Sequence, residues 1–248
     1  MAKFAPVVPI QVADEYQQEG MLGDYHLLLA HDVVANPSEY HRIYGNQGYH
    51  IIMDNSVIEL GHPVDLEFMR TAVGLTQADV FALPDKLLDQ QGTINSTMTA
   101  LNEWHTLITD QTKAMAVPQG ATWDEWVECV EAFAAYDEIA WIGIPRNVRN
   151  RLNTSRKYAV STVKALCPNK KIHLLGFSND LRDDVEAASL ADVEGIDSAV
   201  PSRMGMRDCL PINIDSYAHS ARDAWWDNPG EVNDLGITNV TTFRSWIS

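Results

Sequence analysis

The chain has 248 residues, 46% hydrophobic and 21% charged. That apolar share excludes a disordered chain, and the length suits one α/β barrel, one large α/β sheet or two ordinary domains. No apolar run approaches the about 18 residues of a membrane span, and Met1-Ala-Lys-Phe-Ala-Pro lacks a signal peptide's apolar stretch, so a cytoplasmic protein with a single core is expected. Three scattered cysteines, Cys129, Cys167 and Cys209, support neither a disulfide framework nor a thiolate zinc site.

Seven short apolar, β-prone runs recur along the chain, at residues 26–30, 50–54, 79–85, 113–120, 138–145, 171–176 and 195–201. They are nearly continuous in apolar residues, as strands buried on both faces should be. Helix-like stretches separate them. One covers residues 123–136 behind Thr122 as its cap, and another covers 156–166 with Tyr158, Ala159, Val163 and Leu166 near one face. Alternating βαβ units imply a parallel sheet with right-handed crossovers. No Gly-x-Gly-x-x-Gly follows the first of these runs, where His31-Asp32-Val33-Val34 stands, which disfavours a dinucleotide-binding sheet. An α/β fold of the (β/α)8 TIM-barrel type is expected, spanning residues 1–248 as one domain with a tryptophan-bearing tail from about 211. Its eighth strand is expected within residues 6–12 or after Leu210.

In such barrels the chemistry sits at the carboxyl ends of the strands. Reading those ends in order gives Asp54, Asp85, Gln119-Gly120, Gly143, Gly176 and Asp197. An aspartate at a strand end is often only a turn or cap residue. So many ends carrying hydrogen-bonding groups, with glycines that admit a ligand to the backbone, point to one pocket. His173, inside its strand, reads as a satisfied buried histidine.

The charge is uneven. Acidic residues number 34 against 18 basic ones, for a net charge of -16. Yet residues 146 to 171 hold Arg146, Arg149, Arg151, Arg156, Lys157, Lys164, Lys170 and Lys171 and no acid, a window of +8 that leaves -24 for the rest. Such asymmetry can present a phosphate-binding face on an acidic protein, or be a basic solvated helix. Neither His-x-His nor His-Glu-x-x-His occurs among the eight histidines, and although three strand-end aspartates could hold magnesium, no metal and no cofactor is expected. With no Gly-x-Ser-x-Gly elbow and no strand-end cysteine, serine or cysteine nucleophiles have little support.

Asp197-Ser-Ala-Val-Pro201-Ser202-Arg203-Met-Gly205 resembles the nucleophile segment of the tRNA-guanine transglycosylases, Asp-x-x-x-Pro-(Thr/Ser)-Arg-x-Gly. Other segments resemble the same family in the same order. Met53-Asp54-Asn55-Ser56 looks like its Asp-Ser-Gly-Gly stretch, whose Asp is the general acid/base. The segment from Ala78 to Asp85 looks like the one whose final Asp grips the guanine edge. Val117-Pro118-Gln119-Gly120, with one residue more, is similar to its base-binding Val-Gln-Gly, Ile142-Gly143-Ile144 to the stretch that reads the base through backbone groups, and His173-Leu-Leu-Gly176, with one residue fewer, to its His-x-(Leu/Met)-(Met/Leu)-Gly. These matches span residues 53 to 205.

Two departures qualify what the resemblance implies. Asn55-Ser56-Val57 stands where the family has its glycine pair. No Cys-x-Cys-x-x-Cys zinc module, which helps the family grip tRNA, follows Cys209; the tail instead bears Trp225, Trp226 and Trp246. The chain looks most like the compact, zinc-free branch from bacteriophages and genomic islands. That branch exchanges guanine in DNA for a 7-deazaguanine such as 7-cyano-7-deazaguanine.

Exchanging a base at C1′ is glycoside chemistry that needs two carboxylates. The resemblance makes Asp197 the nucleophile and Asp54 the acid/base. Asp85, Gln119, Gly120, Gly143 and Ile144 would bind the base, with Asp85 accepting from N1–H and N2–H and with Gln119 and the Gly143 N–H serving O6. A target nucleotide would be flipped out or caught single-stranded. Arg146, Arg149, Arg151, Arg156, Arg203 and Arg207 would contact phosphates. The expected partners are DNA and a 7-deazaguanine base, with no membrane and a homodimer left open. Rival readings are the same chemistry on tRNA or a free nucleoside, and a non-catalytic binding protein on a degenerate barrel.

Overall fold

The computed structural model describes residues 1–215, 226–227 and 229–248. In chain order its elements are β1 (Lys3–Pro6), α1 (Ile10–Gln18), β2 (Tyr25–Leu29), α2 (Ala30–Ala35), α3 (Pro37–Tyr44), β3 (His50–Asp54), α4 (Val57–Leu60), α5 (Leu66–Thr76), β4 (Val80–Ala82), α6 (Gln90–Glu103), β5 (Lys113–Ala116), α7 (Trp123–Ala134), β6 (Ile139–Pro145), α8 (Asn147–Asn150), α9 (Arg156–Leu166), β7 (Lys171–Leu175), α10 (Leu181–Ala188), β8 (Val193–Ser198), α11 (Val200–Met206) and α12 (Asp234–Ile247). The strands are all parallel and hydrogen-bond in the order β1, β8, β7, β6, β5, β4, β3, β2. β1 and β2 meet at the seam, so the sheet curls into a nearly closed (β/α)8 barrel with the helices outside. No described helix is long and apolar enough to cross a membrane.

The eighth strand is β1, which ends at Pro6 and so shares only that residue with the first segment expected to hold it. Residues 7–9 are a loop and Ile10 opens α1, while the described chain beyond Leu210 carries α12. β1 has four residues and starts with an exposed lysine, too short to register as an apolar run. The expected tail is therefore partly outer-layer helix. Trp225 lies outside the described residues, whereas Trp226 donates from Nε1 to Asp32 Oδ2 at 2.6 Å.

Period-two geometry sends alternate strand residues inward and outward. Tyr25, Leu27, Leu29, Ile52, Val80, Met115 and Trp141 fill the lumen, while Leu28, Ile51, Met53, Phe81, Ile142 and Leu174 pack against the helices. Both faces are apolar, which is why the strands read as continuous hydrophobic runs. The inward parity of Ile52 carries on to Asp54 at the carboxyl end of β3.

Thr122 caps α7 in a full capping box, its side chain accepting from the Glu125 N–H while Glu125 reaches back to the Thr122 backbone. Such a cap contributes about 1 kcal/mol. Ser155 caps α9. The buried stripe of α9 is Arg156, Ala159, Val160 and Val163, a regular i, i+3, i+4, i+7 face. Tyr158, expected on that face, lies off it and is 58% exposed.

Candidate active site

At the carboxyl ends of the strands a cavity opens to solvent. Leu27, Leu29, Val57, Val117 and Leu175 give it apolar walls, and Asp54, Asp85, Gln119 and Asp197 project polar groups into it. Asp54 ends β3 and Asp197 is the penultimate residue of β8, while Asp85 and Gln119 sit on the loops three residues past β4 and β5. Glu59, Asn55, Arg146 and Asn147 complete its polar lining.

Asp54 Oδ1 accepts the Ser56 N–H at 2.7 Å. Ser56 has φ +62°, so this serine takes the left-handed turn that glycine adopts most readily, where the family resemblance has its glycine pair. Burial pushes the Asp54 carboxyl up to about 8, and the negative charges of Glu59, Asp197 and Asp85 add to the shift.

Asp85 is fully buried and held from both sides. Asn55 Nδ2 donates to its Oδ1 at 2.8 Å, and Gln119 Nε2 donates to its Oδ2 at 2.7 Å. Burial raises this carboxyl to about 6, and the two amide donors oppose the rise. Gln119 Oε1 in turn accepts the Leu88 N–H at 3.3 Å, which ties the amide's orientation to the loop after β4.

Asp197 Oδ1 receives the Gly176 N–H at 3.1 Å and lies 3.1 Å from His173 Nε2. The Pro201-Ser202-Arg203-Met-Gly205 part of its motif forms α11. Gly205 is required by packing there, since a Cβ would lie 2.2 Å from the Gly236 nitrogen of α12.

The other residues expected to bind the base, Gly120, Gly143 and Ile144, do not line this cavity. A Cβ on Gly120 would meet the Trp126 nitrogen at 2.5 Å, so this glycine admits the start of α7. Gly143 lies within β6 rather than at its end, and its missing side chain makes room for Leu175, Met115 and Val117. Ile144 faces the helices, and its carbonyl accepts from Arg156 Nη2 at 2.7 Å.

The arginines divide. Arg156 is fully buried, paired with Asp184 at 2.8 Å and bonded to the carbonyls of Ile144, Leu175 and Gly176, so no phosphate can reach it. Arg203 is buried in α11. Arg149 pairs with Asp180 at 2.7 Å. Three of the window's four lysines also meet acids that follow it in sequence: Lys157 pairs with Glu186, Lys164 with Asp192 and Lys171 with Glu194, while Lys170 donates to the Tyr136 and Ile139 carbonyls. The +8 window is thus largely neutralised by the acidic stretch from Asp180 to Glu194. Arg146 remains on the cavity wall, and Arg151 and Arg207 are exposed.

Several site residues escape a reading of strand ends. Glu59 sits in the single-turn helix α4, and Asn55 stands behind Asp54 as part of the departure from the glycine pair. Strand parity could have found His173, because it shares the inward face of β7 with Leu175 on the cavity wall.

Among the described residues no group of three or more His, Cys, Asp or Glu side chains is placed to hold a metal ion. Fold and site together define a (β/α)8-barrel protein with a carboxylate-lined cavity at the carboxyl ends of its strands. No protein-family model matches the chain, and no curated protein matches it.

Proposed function

We propose that this protein is a base-exchange transglycosylase that replaces guanine in DNA with a 7-deazaguanine such as 7-cyano-7-deazaguanine. The observation that carries the reading is the meeting of Asp54, Asp85, Gln119 and Asp197 around one cavity. Their environments suit separate tasks. A carboxyl raised to about 8 keeps its proton at neutral pH and can act as an acid, whereas one at about 6 is ionised there and can accept N–H donors.

In the forward step a lone pair on Asp197 forms a bond to C1′ as the C1′–N9 bond breaks. The bonding pair leaves with guanine, and Asp54 supplies the proton that neutralises it. The incoming base gives its proton to Asp54 and attacks C1′, Asp197 departs as carboxylate, and two inversions retain the configuration. Asp85 accepts from guanine N1–H and N2–H, and the apolar walls enclose the ring faces. Arg146 on the cavity wall and the exposed Arg151 and Arg207 are assigned to phosphates.

The test is incubation with labelled guanine and either duplex DNA, single-stranded DNA or tRNA. The reading expects label in DNA. Label in tRNA alone would reassign the substrate, and label in neither would remove the proposal.

A further inference from the structure

We infer that Tyr25 and His173 form a positioning relay that fixes which oxygen of Asp197 is presented to the substrate. The inference rests on the reading of Asp197 as nucleophile. His173 is entirely buried, with Nδ1 2.8 Å from the Tyr25 hydroxyl and Nε2 3.1 Å from Asp197 Oδ1. A neutral imidazole carries one ring proton, so the partner of one nitrogen decides what the other can do. Burial and the charge of Asp197 hold the Tyr25 phenol well above its ordinary range, so it keeps its proton. A carboxylate can only accept, so facing Asp197 the ring proton resides on Nε2, and Nδ1 is left to accept from the Tyr25 hydroxyl.

The lumen is built to hold this arrangement. Tyr25 opens β2, and Gly195 on β8 makes room for its ring, because a Cβ there would lie 2.4 Å from Tyr25 Cε1. The opposite side is braced by stacking. Tyr25 lies against His50 at 5.3 Å, and His50 against Trp141 at 5.5 Å. Rigid aromatic support of this kind fixes the tyrosine oxygen and, through it, the imidazole.

With the His173 and Gly176 donors both on Oδ1, Oδ2 is the oxygen left to form the bond to C1′. When the incoming base displaces Asp197, the same two donors stabilise the negative charge that returns to the carboxylate. Neither Tyr25 nor His173 touches the substrate in this scheme. Both act through Asp197.

Nitrogen-15 NMR of histidine-labelled free protein tests the relay without any reaction. The expected result is His173 as the Nε2–H tautomer, and loss of that single tautomer in Tyr25→Phe. A wild-type ring protonated at Nδ1, or at both nitrogens, overturns the inference. Single-turnover formation of the covalent adduct should slow by about tenfold or more in Tyr25→Phe with nucleic acid affinity unchanged. It should recover more in His173→Gln, whose amide can donate, than in His173→Leu. An unchanged adduct rate in Tyr25→Phe, or equal rates in the two His173 variants, also overturns it. Absence of any adduct with wild-type protein would instead remove the transglycosylase reading, and the tautomer measurement would still decide the relay.

Discussion

Gln119 Nε2 donates to Asp85 Oδ2 at 2.7 Å, so the two groups assigned to the guanine edge hold each other in place. Asn55 takes the other carboxylate oxygen. Each carboxylate oxygen accepts two hydrogen bonds, so Asp85 retains capacity for N1–H and N2–H while its orientation is already set. Side chains held by such bonds lose less freedom when they bind a partner, which reduces the cost of ordering them.

Selection of guanine should therefore depend on Asn55 as well as on Asp85 and Gln119. Asn55→Leu removes a donor that stabilises the ionised carboxylate, so the Asp85 carboxyl should rise further above 6. KM for guanine at neutral pH is expected to increase by about tenfold, with kcat less affected. Steady-state kinetics from pH 5 to 8 would check this, and identical KM profiles for Asn55→Leu and wild type would contradict it.

Activity should follow a bell-shaped pH profile. Asp85 must be ionised, which gives an acid limb near 6, and Asp54 must be protonated to release guanine, which gives an alkaline limb near 8. Glu59→Gln removes a negative charge that raises Asp54, so the alkaline limb should move to lower pH. Stability carries the same sign. A carboxyl raised from 3.8 to about 8 on folding contributes stability that is fully present below about pH 4 and is lost as pH rises through 8. Asp54→Asn should flatten that part of the melting-temperature profile.

Arginines should separate by salt dependence. Replacing Arg146, Arg151 or Arg207 with alanine should weaken DNA binding in every sequence context. Where the arginine truly meets a phosphate, its removal should lower the salt slope by about one, because about one counterion fewer is released. Arg156→Ala should instead strand Asp184 and three carbonyls, costing about 3–5 kcal/mol in stability. Binding isotherms at several salt concentrations, beside thermal melts, distinguish the two classes.

The barrel is legible in the sequence because its strands are buried on both faces, which leaves seven apolar runs at regular spacing. β1 is not, because four residues with a lysine at one end carry too little pattern. Asp54 is legible as a polar residue closing an apolar strand, and Asp197 through the Pro-Ser-Arg-x-Gly pattern that follows it. Arg156 misleads for a physical reason: its neighbours in sequence are basic, while its partner Asp184 lies 28 positions away on α10. Composition windows register sequence neighbours, and ion pairs between adjacent helices cancel charge that such windows count. His173 reads correctly as a buried histidine, but its role depends on Tyr25, 148 positions distant, which no local pattern reveals.

The most direct measurement is mass spectrometry of the protein after denaturing quench with a guanine-containing oligodeoxynucleotide. The account predicts a covalent adduct with the mass of the oligonucleotide less guanine, mapped to Asp197 on the peptide that contains it and absent from Asp197→Asn. An adduct on another residue, an adduct retained by Asp197→Asn, or no adduct with any DNA or tRNA would contradict it.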